Sequence, residues 1–413
     1  MENYSRFRVE ELRRFVRDVF VHYGIPDDDA AIGAEILVDA DLRGIDSHGV
    51  AHLASHVAYA AGLQSGLVNP RPRWRVVKET ATTALMDGDG GLGLIVAYRA
   101  MELAIRKAGE GGVGMVTVAN SRHFGAAGYY SMMALPHDMI GISMTNTVPV
   151  MLPTYGRERK VGSNAFSFAV PTAEEPPFVL DIATSAVAVG KLELARREGE
   201  PIPQGWTVDK EGNPTVDPND YWKGGALLPL GSSPELSSHK GYGLGILVDI
   251  LAGVLSGVGF SAVLSREEYK MGHFFGAVCI DSFRPVDDFK AMMDDMLRNL
   301  RSTPPAEGAE RVLVPGQKEH ETLQVRSRQG RPLHPQVVGS LKELAGELVE
   351  HDRSLVLGGG SAAAHTNGLF NMAAIYSLNH LLGNVGNAGG VLFNPDSPLD
   401  DEAWEKSASH LAG

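Results

Sequence analysis

The sequence predicts a mixed α/β (α+β) fold, and two observations carry that expectation. Strand-like apolar runs at 115–120, 140–146, 166–170, 178–182 and 274–280 alternate with helix-like stretches at 94–108, 124–135, 186–197, 239–257 and 286–301. Such alternation builds a sheet with helices packed on it. The chain has 413 residues, 44% apolar and 21% charged, an ordinary globular composition long enough for a large buried core.

Element by element, residues 8–23 place Val9, Leu12, Phe15, Val16, Val19 and Phe20 on one helical face, and Gly24 ends the run. Pro26 opens a second helix, AAIGAEILVDADL. Proline and polar clusters mark loops at 66–74, 200–235 and 302–330. Residues 241–264 have the length of a membrane span, but Asp249 at their middle would cost about 2.5–3.5 kcal/mol in a bilayer. The segment therefore reads as a buried helix. Cys279, the single cysteine, lies in the run FFGAVCI and reads as a core thiol without a disulfide partner.

Charge narrows the partners. With 37 Lys and Arg against 50 Asp and Glu, the net charge is −13, which argues against nucleic acid or an anionic membrane as a ligand. The N-terminus has no apolar signal core, so a cytoplasmic location is expected. From 354 to 395 there is no Asp, Glu, Lys or Arg, and this shift in composition places a boundary near 350.

Five motifs bear on chemistry. Gly88, Gly90 and Gly93 spell G-x-G-x-x-G between the strand-like TTALM and a helix, but no acidic residue closes the following strand, so the dinucleotide fingerprint is incomplete. Asp46-Ser47-His48-Gly49, with Arg43 before it, offers an imidazole for proton transfer and a cation for a carboxylate. His48, His52 and His56 recur every four residues; with no Glu or Asp between them, the stripe is read as holding no metal. His123 sits where a strand gives way to a helix, in SRHFGAAGYY, either as a ligand group or as a cap. His239 and Lys240 open the long apolar helix, as a phosphate site or simply solvated.

Taken together, DLRGIDSHGV, NSRHFGAAGYY, GISMTNTVPVMLPTYG, VGSNAFSFAVPT, FVLDIATS, SHKGYGLGILVDILAGVLSG, VPGQ and PLHPQVV resemble the malate/L-lactate dehydrogenase family over about 5–348. The family includes sulfolactate and ureidoglycolate dehydrogenases and a cyclic-imine carboxylate reductase, and its fold is not the Rossmann fold. The resemblance implies His48 and His123 as catalytic, and Arg43, Ser47, His52 and Thr147 on the substrate side. It implies a cofactor, NAD or NADP, along Asp181, Ile182 and Ala183, His239 and Lys240, and Gly316 and Gln317. It also implies a homodimer.

One departure stands out. Members of the family commonly carry Arg four residues after the DSHG histidine, and this chain has His52 there, which gives up a bidentate carboxylate grip. The segment 355–395 resembles a fragment of molybdopterin oxidoreductases, without the metal-ligand residue or most of the cofactor cradle.

The expectation is a body over 1–350 and a fragment over 351–413. The body comprises a helical part at about 5–65, a cofactor and substrate part at about 66–330 and a closing helix at about 334–350; the fragment forms a short α/β appendage. Functionally, the chain reads as an NAD(P)-dependent enzyme moving a hydride to or from a small 2-hydroxy or 2-oxo acid. Two alternatives stand beside it: reduction of a cyclic imine carboxylate at the same site, and an inactive fusion that binds a partner through its tail.

Overall fold

The computed structural model describes residues 4–349, so the uncharged segment and its resemblance lie outside the described residues. The chain divides into two units. The smaller, within the described residues, holds strand β1 (Ser5–Phe7) and the helix Pro335–Val349. The larger, 8–332, carries everything discussed below.

Helix α1 (Val9–His22) buries Val9, Leu12, Phe15, Val16, Val19 and Phe20, the face that the spacing predicts. Helix α2 (Asp27–Leu42) starts after Pro26 with three aspartates in its first turn, where their charge suits the positive end of the helix dipole. Two short helices follow, α3 (Ala51–Ser55) and α4 (Ala60–Gln64).

A seven-stranded sheet forms the core. Its strands are β2 (Arg75–Glu79), β3 (Thr83–Asp87), β4 (Val113–Ser121), β5 (Met139–Thr145), β6 (Phe166–Val170), β7 (Phe178–Ile182) and β11 (Met271–Cys279). They lie in the order β2-β3-β4-β11-β5-β6-β7. Only β3 and β4 are parallel, joined through helix α5 (Gly93–Gly111); every other pairing in the sheet is antiparallel. Late in sequence but central in space, β11 is buried from Met271 to Ala277, as a strand with neighbours on both edges requires. The remaining helices are α6 (Ala127–Met132), α7 (Val189–Glu198), α8 (Ser238–Val248), α9 (Val286–Arg301) and α10 (Gln317–Gln329).

Four expectations need correction. The stretch 302–330 is not all loop, because α10 fills its second half; its sequence, QKEHETLQVRSRQ, has too few apolar residues to show a stripe. Within 200–235, strands β8 (Thr207–Val208), β9 (Pro214–Thr215) and β10 (Ala226–Leu227) form a small sheet, each too short to show an alternation. Cys279 is half-buried at the end of β11 rather than in the core. The stretch 241–264 is not one buried helix: α8 runs on as a π-helical segment (Asp249–Val254), and while Val248 and Ala252 are buried, Ile246, Leu247, Ile250, Val254 and Leu255 are 36–57% exposed. All-round apolarity says that a segment avoids water, not that its own protomer covers it.

Candidate active site

The site grows from the end of α2. Arg43 caps that helix and its Nε donates to Asp39 at 2.8 Å, so the expected carboxylate-binding cation is engaged by its own helix. Asp41, fully buried, accepts the Val50 N–H at 2.7 Å and Arg331 Nε at 2.8 Å. Arg331 also reaches Asp46 at 2.9 Å, and Arg326 donates to the same carboxylate at 2.6 Å. Gly49 lies so close that a Cβ there would fall 2.3 Å from the Asp41 carboxyl. The loop 43–50 is thus fixed at both ends, and it presents Ser47 and His48. Helix α7 backs this loop, with Gly190 directly against Ser47.

His48 Nδ1 shares a hydrogen bond with Ser47 Oγ at 2.8 Å. Its ring lies 5.5 Å from that of His123, with only 15° between the planes. His52, one turn further along, is 5.4 Å from His48 and 5.5 Å from His123. His56 adds a fourth imidazole, 4.4 Å from His123. Its Nδ1 accepts the Ala58 N–H at 3.2 Å, and its Nε2 meets the Tyr269 hydroxyl at 3.0 Å. His123 Nδ1 meets the Tyr59 hydroxyl at 2.7 Å and the Gly125 N–H at 3.3 Å. The sequence motifs place His48 and His123 far apart; the fold stacks them.

The glycine run explains how His123 is placed. A Cβ on Gly93 would come within 2.1 Å of the Arg122 carbonyl oxygen and 2.3 Å of that of His123. Only glycine lets the start of α5 sit against the strand end that carries the imidazole.

The electrostatics follow from composition. Among the described residues, no carboxylate is hydrogen-bonded to any of the four histidines. Burial pushes the pKa of His48 down to about 4 and that of His56 to about 3. It holds His52 and His123 well below their ordinary value, and the neighbouring imidazoles add to the effect. Arg197, at the end of α7, lowers His52 further. The cluster is therefore neutral near pH 7.

A second group of expected residues gathers around β7. Asp181 accepts the Gly128 N–H at 2.7 Å, and burial raises its carboxyl to about 6. Ile182 and Ala183 are half-buried just beyond it. Pro315 accepts the Val179 N–H at 3.3 Å; Gly316, at φ 88°, caps α10, and Gln317 is buried in its first turn. Helix α8 joins this group through Gly241, which abuts Leu230, whose N–H donates to Thr184. His239 and Lys240 are exposed in its first turn. Thr147 stands apart from the imidazoles in its described contacts: its N–H donates to Asn164, which in turn holds the Gly245 carbonyl.

Sequence reasoning missed Asp41, Tyr59, Arg197 and Tyr269. Asp41 sits inside the DLRGIDSHGV motif, where its position before two glycines was the available signal. Nothing local marks the other three, which reach the cluster through tertiary packing.

A family model described as malate/L-lactate dehydrogenase matches residues 7–342. The chain belongs to the malate/L-lactate dehydrogenase family. It is 44% identical over 348 residues to the malate dehydrogenase of Pyrococcus horikoshii, covering 83% of this chain and 96% of that one. It is 39% identical over 343 residues to the L-sulfolactate dehydrogenase of Methanocaldococcus jannaschii, covering 82% and 96%. Among solved structures, the malate dehydrogenase of Entamoeba histolytica superposes with a TM-score of 0.81 at 33% identity, over 83% of this chain and 98% of that one. The family's mixed α/β fold and its class of enzyme, an oxidoreductase, are those the motifs imply. No helix among the described residues is long and apolar enough to cross a membrane.

Two outcomes test this construction. Asp41→Ala leaves Arg331 facing a buried gap and is expected to cost about 3–5 kcal/mol of stability, read by urea unfolding; an unchanged midpoint would remove Asp41 from its anchoring role. For Asp181, the folded pKa lies above the unfolded one, so its contribution to stability is full below about pH 4 and is lost as pH rises through about 6. Asp181→Asn should therefore gain melting temperature over the parent between pH 4 and 6 and keep that gain above, whereas a pH-independent difference would contradict the raised pKa.

Proposed function

We propose that this chain is an NAD(P)-dependent dehydrogenase that interconverts a small 2-hydroxy acid and its 2-oxo acid, of the malate, lactate or sulfolactate type. The observation that carries the reading is the His48–His123 stack, in which Ser47 occupies His48 Nδ1 and leaves Nε2 for a substrate hydroxyl.

In the oxidation direction the neutral His48 holds a free lone pair at pH 7, so the base is already in its working form. Nε2 takes the hydroxyl proton while Nδ1–H donates to Ser47 Oγ. A substrate carboxylate in this uncharged cluster favours the imidazolium as it forms. In the reduction direction the same nitrogen returns the proton to the carbonyl oxygen. His123, kept in place by Tyr59 and Gly125, is the second group toward the reacting oxygen, with Arg43, Ser47, His52 and Thr147 on the substrate side.

The segments around β7 suit a dinucleotide. Lys240 and His239 are exposed at the amide end of the eleven-residue α8, a position that favours phosphate. Asp181, Ile182 and Ala183 line the strand end, with Gly316 and Gln317 alongside. The nicotinamide, when bound, supplies the hydride acceptor or donor at its C4 carbon.

The open apolar stripe of Ile246, Leu247, Ile250, Val254 and Leu255 supports a homodimer that covers it. We also place the enzyme in the cytoplasm, with neither nucleic acid nor membrane as partner. The division into a body over 1–350 and a fused fragment over 351–413 belongs to the same proposal. A protein serving only as a binding module would have no use for two stacked imidazoles, one of them oriented by its own serine.

A panel of malate, lactate, sulfolactate, ureidoglycolate and a piperideine carboxylate, run with NAD and with NADP and followed by reduced-nicotinamide absorbance, identifies the substrate. Turnover only with the cyclic imine would replace the hydroxy-acid reading by the reductase one. His48→Ala should lower turnover by about 10²–10⁴-fold, the usual worth of general acid–base catalysis; normal turnover would refute its role. His52→Arg restores the fork common in the family and should shift kcat/KM for these acids by about tenfold or more, since charge-assisted pairs contribute roughly 1.5–3 kcal/mol. Unchanged constants would show that position 52 does not meet the carboxylate.

A further inference from the structure

The imidazole cluster has more nitrogen than proton transfer requires. His48, His52 and His123 can each present one ring nitrogen such that all three lie within 4.8 Å of one another. His52 stands where members of the family commonly carry Arg, and its ring makes no side-chain hydrogen bond to any described residue.

We propose that His48, His52 and His123 form a three-imidazole site for a divalent transition-metal ion, with zinc as the representative. Three properties of the site point this way. First, the donor set is right: neutral imidazole suits zinc, nickel and copper, and three histidines leave a fourth position open for water or an oxygen ligand. Magnesium and calcium, which require oxygen ligands, are excluded by the same donor set. Second, the spacing is close. Tetrahedral zinc with bonds of about 2.0–2.1 Å needs nitrogens about 3.3 Å apart, so the cluster must contract by about 1.5 Å, within reach of small turns of three side chains whose rings already lie 5.4–5.5 Å apart.

Third, outer partners are in place to orient the ligands, as metal-bound histidines require. Ser47 Oγ holds His48 through Nδ1, which leaves Nε2 as the ligand. Tyr59 Oη holds His123 through Nδ1; ligation through Nε2 moves the ring proton to Nδ1, where the Tyr59 oxygen accepts it, and gives up the 3.3 Å contact in which Nδ1 accepts the Gly125 N–H. His56 stays outside the set because Ala58 and Tyr269 take both of its nitrogens. Arg197, whose charge acts on His52, is itself paired with Glu193 at 3.8 Å.

The consequence for the enzyme is exclusion. A metal on His48 Nε2 uses the lone pair that hydroxyl-proton transfer needs, so metal binding and turnover compete. Only this inhibition rests on the dehydrogenase reading; the binding does not, and the test separates them.

The full-length, tag-free protein, stripped with chelator, is dialysed against zinc without substrate or cofactor, and bound metal is quantified. The expected result is one zinc per chain released by EDTA, at least tenfold weaker binding in His52→Ala and in His123→Gln, and parental binding in His137→Gln, which lies outside the cluster. Cobalt in place of zinc should give the intense visible bands of a four-coordinate nitrogen site in the parent protein, a readout independent of how the variants fold. Zinc that binds equally well to His52→Ala and His123→Gln, the absence of stoichiometric zinc, or an octahedral cobalt spectrum would each overturn the proposal. Inhibition by zinc without a stoichiometric site would do so as well.

Discussion

One buried carboxylate governs the geometry of the site. Asp41 takes a backbone N–H from Val50, on the far side of the loop, and a guanidinium nitrogen from Arg331, some 290 residues later in the chain. A buried charge is tolerated only when its lone pairs are satisfied, and removing one partner strands the other. That coupling turns a flexible connection between α2 and α3 into a fixed one. Ser47 and His48 stand on it, and Asp46 adds the second carboxylate that Arg326 and Arg331 share. The His48 imidazole is therefore oriented from a distance, by an ion-pair network anchored late in the chain.

What the loop presents is unusual in its charge. Four partly buried imidazoles lie together, with no carboxylate among the described residues hydrogen-bonded to any of them, and a proton on one raises the cost of a proton on the next. The cluster rests uncharged near pH 7. Serine takes the place that a carboxylate holds in many proton-transferring histidines, and a hydroxyl, which can donate or accept, fixes the ring without stabilising the imidazolium. Such an arrangement favours the uncharged, basic form at rest.

Much of this was legible in the sequence. The α1 stripe, the five principal strands and the two histidine motifs emerge from periodicity and local context, because in each case the burial that matters is decided within one element. The failures share a cause. Helix α10 is held by contacts to distant segments, among them the Val179–Pro315 hydrogen bond that precedes it, rather than by an apolar stripe of its own. The exposed face of α8 is invisible in a pattern that is apolar all round. Arg43 looks like a free cation until the helix preceding it is seen to supply Asp39. Tyr59 and Tyr269 enter the cluster by packing across the fold, for which no local pattern exists.

The glycine fingerprint shows how a correct local reading can mislead about chemistry. Strand β3, the turn and helix α5 do form a parallel β-α-β unit with β4, the setting in which G-x-G-x-x-G cradles a pyrophosphate. A glycine pattern, however, states only that another group approaches the backbone closely; it does not state which one. At Gly93 the approaching groups are the carbonyl oxygens of Arg122 and His123, and two carbonyl oxygens repel a phosphate rather than attract it. The same three glycines that would hold a cofactor in a Rossmann domain are here used to hold a strand end, and with it the second imidazole of the site.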